Sequence, residues 1–368
     1  MRLAGYASPL QAHPTPTGVG QHIQGMFRAL QQRDDVLFSL VTPRGKHEEA
    51  QKIIASHPQS RVLPLPWPDR WLRVATTWTS LVNLDRWLDE ADWVYAPVEQ
   101  PVTTGRQLAV TVHDLYPFEP AILGIPTKEH AGLSWRRRMK RLLDRADLIL
   151  VVSDFTKSRM LALLDVKNPA RIVVLGNGGS EGFSPRPQPA DEVVLRRFRL
   201  EESRYVLFPA SLTQRKGGDL LLEVARSAHR QQAGLRFAVI GRRHDAELLD
   251  ALKRLKDLVP ELPVDLLGYV TKEELVALYR HAKAALFPSR YEGFGIPVVE
   301  SLASGCPILI TPQPALLEVA GGQAVVVESD ATSVLTRLTA DLPRPTTVDN
   351  GDPRTWAACA DRLIQAMQ

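Results

Sequence analysis

Two glutamates, Glu292 and Glu300, stand in SRYEGFGIPVVESLASG, a stretch otherwise made of small, aromatic and aliphatic residues around a turn of Gly293, Phe294 and Gly295. The run PVVESLAS reads as a helix. Pro297 suits its first position, where a missing N–H costs nothing, and Gly305 stands where a left-handed C-terminal residue is wanted. Backbone N–H groups of Phe294, Gly295 and Ile296 at such a helix start, aided by the dipole, suit a phosphate. Carboxylates repel phosphate but accept hydrogen bonds from hydroxyls. Glu300, one turn inside the helix, and Glu292, in the loop before it, therefore call for a ligand with hydroxyls on both sides of a phosphate. Ribose, diphosphate and sugar, in that order, make up a sugar nucleotide. The plain alternative is a solvated loop acid and a first-turn acid favoured by the dipole.

A diphosphate that leaves with developing negative charge needs fixed cations. Arg215 and Lys216, in LTQRKGGDLLL, lie just before the helix that Gly217 and Gly218 open, and offer a planar fork and a point charge. Read blandly, they are a solvated pair. No Asp-x-Asp occurs in the chain, so neither metal-bridged diphosphate binding nor any cofactor beyond the substrate is expected. His113 ends QLAVTVHDL beside Asp114; by pattern alone it is a satisfied polar residue at a strand end. Gly18 and Gly20 form a lone Gly-x-Gly in TGVGQHIQGMFRAL. Ile23 stands where a dinucleotide fingerprint wants its third glycine, which argues against nicotinamide or flavin.

These residues need a scaffold that gathers strand ends. Short β-branched runs alternate with amphipathic segments of helix length throughout, the signature of parallel sheets with helices on their faces. Expected strands are RLAGYA, VLFSLV, RVLPLP, DWVYAPV, LAVTVHDL, DLILVVS and RIVVLGN, then YVLFPAS, LRFAVIG, VDLLGYV, AALFPS, PILIT and AVVVE. The aperiodic GNGGSEGFSPRPQPADE divides the two series and reads as a linker. The expected organisation is an α/β chain with a first domain over 1–178, a linker over 179–195, a second domain over 196–350, and a terminal helix over 351–368 returning to the first domain. In that helix Trp356, Leu363 and Met367 are the candidate buried positions. Ligands bind such sheets outside the carboxyl ends of the strands, and two sheets facing one another would make a cleft.

At 368 residues with 44% hydrophobic and 23% charged content, the chain is an ordinary globular protein, and disordered or fibrous classes drop out. The net charge of +4 is too small, and recognised motifs too few, for nucleic-acid binding. Two cysteines, Cys306 and Cys359, make neither a disulfide framework nor a zinc cage. With no long apolar run, a cytoplasmic location is expected.

From GYVTKEELVALYRHAKAALFPSRYEGFGIPVVESLASGCPILIT to PALLEVAGGQAVVVE, the chain resembles the donor-binding half of retaining glycosyltransferases of family 4, which have the GT-B fold of two Rossmann-like domains facing across a cleft. The resemblance implies that Glu292 engages the transferred sugar, that Glu300 binds ribose, and that Arg215 and Lys216 hold the diphosphate without a metal. It implies backbone contacts from Val270 to the base. It makes the segment with Gly18 and Gly20 the family's glycine-rich loop, although Thr17, Gln21 and His22 depart from the usual residues. VHDLYPFEP resembles the motif whose histidine, here His113, reaches the sugar and reaction centre. Bacterial mannosyltransferases of polysaccharide assembly look most similar, implying GDP-mannose as donor, with UDP-sugars open, and a glycan or lipid-linked acceptor. Leu317 and Gly322 depart from that subgroup. A non-catalytic sugar-nucleotide or glycan-binding module is the alternative.

Five of seven tryptophans, Trp67, Trp71, Trp78, Trp87 and Trp93, crowd one region. Trp71 and Trp78 share a helical face with Val74 and Leu81, which reads first as core. The other reading is an acceptor groove or lipid contact. Arg136, Arg137, Arg138, Lys140, Arg141 and Arg145 add a basic face, either solvated or drawn to anionic lipid at the inner face of a membrane.

Overall fold

The computed structural model describes residues 1–7, 17–54, 60–79, 82–88, 90–100, 102–119, 133–242, 244–345 and 354–368. Leu81 and Pro120 lie outside them. The described residues fall into two compact units. The first joins Met1–Phe118 and a stretch ending at Gly179 to the C-terminal Arg354–Gln368; the second takes in Glu119 and the chain from Ser180 up to that C-terminal segment.

In the first unit the strands are β1 (Arg2–Tyr6), β2 (Leu37–Arg44), β3 (Arg61–Pro68), β4 (Trp93–Ala96), β5 (Gln107–Val112), β6 (Leu148–Val151) and β7 (Ile172–Val174). They form one sheet in the order β3-β2-β1-β4-β5-β6-β7, every pair parallel. Its helices are α1 (Gly18–Gln31), α2 (His47–Ile54), α3 (Asp69–Trp78), α4 (Leu133–Arg145) and α5 (Asp154–Leu163).

The second unit repeats the plan. Its strands β8 (Tyr205–Phe208), β9 (Arg236–Ile240), β10 (Val264–Gly268), β11 (Ala284–Phe287), β12 (Ile308–Ile310) and β13 (Val325–Val326) order as β10-β9-β8-β11-β12-β13, again parallel. The helices are α6 (Asp191–Phe198), α7 (Gly218–Arg230), α8 (Ala246–Leu258), α9 (Lys272–His281), α10 (Ile296–Ala303), α11 (Pro314–Ala320) and α12 (Ala331–Thr339).

The two-residue period of these strands splits each sheet between two cores. Tyr95, Ala109 and Leu150 face one side of the first sheet, while Val94, Val110 and Ile149 face the other. In the second sheet Val206, Phe237 and Leu286 oppose Tyr205, Ala238 and Ala285. Strand order reverses direction between β1 and β4 and between β8 and β11. At these points loops diverge and leave room for a ligand.

Three expectations change. From Ser180 onward, the segment read as a linker belongs with the second unit. Arg280 donates to Ser184 O and to both Asp191 oxygens, Lys272 donates to Glu181 O, and α6 begins at Asp191. Gly18 and Gly20 lie in the first turn of α1 rather than in a loop, because the Thr17 hydroxyl accepts from Gly20 N at 3.2 Å and caps the helix. Finally, Trp71, Val74 and Trp78 are not core: they are 47, 57 and 42% exposed. The side of α3 that meets the sheet is carried instead by Leu72 and Thr76, both fully or nearly buried.

The last helix, α13 (Trp356–Met367), packs on α1 in the first unit, burying Leu363 and Met367 and leaving Trp356 partly buried. Among the described residues no helix is long and apolar enough to cross a membrane.

Candidate functional site

In the second unit the chain leaves β8 through Pro209 to Gly217 and leaves β11 through Pro288 to Gly295. Because β8 and β11 are neighbours, residues about 76 apart in sequence meet here. Lys216 Nζ donates to Glu292 Oε1 at 2.5 Å, and Arg215 Nη1 lies 3.5 Å from Oε2 while donating to Tyr291 O at 3.2 Å. Ser289 Oγ donates to Oε1 at 2.8 Å, and Gln313 Nε2 donates to the Glu292 carbonyl at 3.2 Å. Glu292 is 8% exposed. Burial alone raises its pKa, but the charges of Lys216 and Arg215 and the hydrogen bonds outweigh it, so the carboxyl is held below its usual range.

Two glycines make this close approach possible. Gly217 has φ +72°, and a Cβ there would lie 2.0 Å from Pro288 O. Gly295, at φ +112°, would put a Cβ 2.8 Å from Leu316 Cδ2. Helix α10 starts directly after Gly295, with Pro297 in its first turn. The N–H groups at Phe294, Gly295 and Ile296 thus sit at a helix start, ahead of the helix's own bonding. Glu300 is 4% exposed and accepts from Tyr279 Oη at 3.2 Å. Burial and the nearby Glu300 charge push Tyr279 well above its usual pKa, so it stays a neutral donor. A hollow is lined by Lys216, Ser289, Glu292, Gly295, Pro297 and Leu316, among others. Val270 follows β10 and is buried.

The first unit holds His113 just after β5. Its Nε2 lies 2.8 Å from Pro97 O, an acceptor only, so Nε2 carries a proton; its backbone N–H donates to Glu99. The Gly18–Gly20 turn belongs to the same unit.

Residues 16–179 match the family model described as Glycosyltransferase Family 4, and residues 195–339 match the model described as Glycosyl transferases group 1. The chain belongs to the GT-B glycosyltransferases. Among its relatives, the O-antigen chain mannosyltransferase B of Escherichia coli is 30% identical over 235 residues, covering 61% of each chain. The GDP-mannose-dependent alpha-(1-6)-phosphatidylinositol monomannoside mannosyltransferase of Mycobacterium tuberculosis is 30% identical over 183 residues, covering 47% of this chain and 46% of that protein. The match thus spans 61% and 46% of the length of these two relatives. The crystal structure of Anabaena Alr3699/HepE in complex with UDP and glucose shares the fold, with a TM-score of 0.63 at 16% identity, over 100% of this chain and 95% of that one.

The acids and bases brought together here are legible in the sequence, whereas their partners are not. Ser289 stands in the motif itself, three residues before Glu292. Gln313 and Tyr279 carried no local signal, since each reaches the motif from another element.

Proposed function

We propose that the chain is a retaining glycosyltransferase that moves a sugar from a nucleoside diphosphate sugar to a hydroxyl of a glycan or lipid-linked acceptor. What carries this reading is the buried Glu292 held between Lys216 and Ser289, one helix start away from Glu300. A carboxylate and two cations in contact are an arrangement that a sugar diphosphate can enter by exchange. Phosphate oxygens take over Lys216 and Arg215, and Glu292, released, accepts from sugar hydroxyls.

In that reading Glu300, steadied by Tyr279, binds the ribose hydroxyls, Val270 meets the base through its backbone, and the N–H groups at Phe294, Gly295 and Ile296 meet phosphate and sugar. Gly18 and Gly20 put the start of α1 against donor phosphate and acceptor. His113, with Nδ1 as acceptor, orients a hydroxyl of the transferred sugar. The bond from the anomeric carbon to the phosphate oxygen breaks with its electron pair going to the diphosphate. The acceptor oxygen bonds to that carbon on the same face, and its proton passes to a diphosphate oxygen. Retention follows from the family resemblance. Arg215 and Lys216 take the developing charge, with no metal and no cofactor called for.

Mannose from GDP-mannose is the favoured donor, because both curated relatives named above are mannosyltransferases; a UDP-sugar is the competing choice. A thermal-shift screen of UDP, GDP and ADP and their sugars, followed by release of nucleoside diphosphate, tests the reading. Stabilisation by GDP with release from GDP-mannose is expected. Binding without release from any donor would mean a binding module instead.

The same reading places the protein at the cytoplasmic face of a membrane. Arg137 lies over the Trp78 ring at 5.3 Å and donates to Trp78 O, so α3 and α4 present exposed indoles beside exposed Arg136, Arg137 and Lys140. Indoles with arginines suit an anionic lipid surface.

A further inference from the structure

His22 departs from the residue usual in the family, yet nothing in the proposed chemistry uses it. It is fully buried on α1, and both of its nitrogens are engaged. Nδ1 is 2.6 Å from Asn177 Oδ1, Nε2 is 2.9 Å from Tyr95 Oη, and Tyr95 Oη is 3.1 Å from Thr111 Oγ1.

The proton positions follow from the end of the chain. Asn177 Oδ1 is an acceptor only, so His22 carries its proton on Nδ1 and accepts at Nε2 from the Tyr95 hydroxyl. Tyr95, its one proton spent, accepts from Thr111. Burial first, and then the neighbouring His113, hold His22 well below its usual pKa, against the opposing pull of the Asn177 hydrogen bond. It is a neutral imidazole of one tautomer.

Two other rings pack against this one at steep angles. His113 stands edge-on, with centroids 4.7 Å apart and planes at 88°; Trp356 stands at 5.7 Å and 82°. Strand parity explains the first contact: Tyr95 on β4, and Thr111 and His113 on and just after β5, share the sheet face that α1 and α13 cover. Two glycines explain the second. A Cβ on Gly25 would lie 2.2 Å from the Trp356 ring, and one on Gly178 would lie 2.5 Å from its backbone N. The first residue of α13 is thus seated in a slot made from α1 and from the turn after β7.

We infer that His22, Tyr95 and Trp356 are positioning residues for His113, so that the C-terminal helix is a working part of the reaction centre in the first unit. The inference rests on the role proposed above for His113. The Pro97 carbonyl fixes one nitrogen of His113, and the perpendicular packing of the His22 ring against it fixes the plane of its ring. Trp356 also packs on His22, and the hydrogen bonds of the two His22 nitrogens with Asn177 and Tyr95 stop that ring from turning. A small rotation of the ring moves Nδ1 away from the hydroxyl it must meet.

Two variants test this, Tyr95→Phe, which keeps the ring and removes the donor, and Trp356→Ala, which empties the slot; Trp356→Phe serves as the conservative rescue. Each is made in the wild-type and His113→Ala backgrounds, and nucleoside diphosphate release from GDP-mannose and UDP-glucose is followed. Tyr95→Phe and Trp356→Ala are expected to lower kcat on the order of tenfold or more with donor KM little changed, and Trp356→Phe to restore most of it. In the His113→Ala background neither is expected to add a further loss. Losses that multiply with His113→Ala overturn the inference. A His113→Ala protein with unchanged kcat instead removes the role of His113 itself.

Long-range proton–nitrogen spectra of the imidazoles give a second readout that needs no turnover. The expected pattern is a proton on Nδ1 of His22 and on Nε2 of His113, with the His113 resonances displaced by Trp356→Ala. His113 signals unmoved by both variants show that the rings are not coupled, and overturn the inference even if neither donor is consumed.

Discussion

Lys216 Nζ and Glu292 Oε1 are 2.5 Å apart, although 76 residues separate them in the chain. The pair lies where the loops leaving β8 and β11 meet, and in the proposed function it is the contact that a sugar diphosphate exchanges. Neither group is idle without ligand, which keeps both ordered and charged.

Glu292→Gln removes the carboxylate and leaves the cations. Turnover is expected to fall about 10²- to 10³-fold, as when one oriented transition-state contact is removed, while nucleoside diphosphate binds as tightly as before or tighter. Calorimetric titration beside a release assay checks both. Activity within a few-fold of wild type removes Glu292 from the reaction.

The acid limb of stability should carry the signature of the same carboxyl. Its folded pKa lies below the ordinary value of 4.5, so its ionised form contributes stability that is present above pH 4.5 and is lost as pH falls through the folded value. Urea unfolding from pH 7 downward is therefore expected to show wild type ahead of Glu292→Gln near neutrality, with the gap closing below pH 4.5. A gap that widens on acidification contradicts the sign.

Gly217→Ala forces a side chain into φ +72° and against Pro288 O. A left-handed residue alone costs about 1–2 kcal/mol, and the overlap adds to it. Chemical denaturation is expected to show a loss of at least about 2 kcal/mol, with weaker diphosphate binding because Lys216 follows the displaced turn. A variant as stable as wild type denies the close approach.

Tyr279→Phe deletes the hydroxyl that donates to Glu300 while keeping the buried ring. One net hydrogen bond is worth about 0.5–1.5 kcal/mol, so nucleotide Kd should rise roughly two- to tenfold with kcat nearly steady. If Kd is unmoved and kcat collapses, Glu300 serves the sugar rather than the ribose.

Trp71→Ser with Trp78→Ser alters a surface that is already about half exposed, so the fold should lose little. Co-sedimentation with vesicles containing anionic lipid is expected in wild type and lost in the double variant. Wild type that ignores anionic lipid removes the membrane from the picture.

The sequence by itself determined the alternating α/β order, because a buried parallel strand must be apolar and a covering helix must be amphipathic, and both periods are local. It also singled out the candidate site residues: Glu292, Glu300, Arg215 and Lys216 are conspicuous where core formation would exclude charge. Only the tertiary structure decided which of these groups touch. Lys216 meets Glu292 because a parallel sheet places the loops after non-consecutive strands side by side, and His22 on α1 meets Asn177, 155 residues away in the turn after β7. Periodicity shows that α3 has an apolar face around Trp71 and Trp78 but not whether anything covers it. Coverage depends on neighbouring elements, and here Leu72 and Thr76 took the sheet while the indoles were left to solvent.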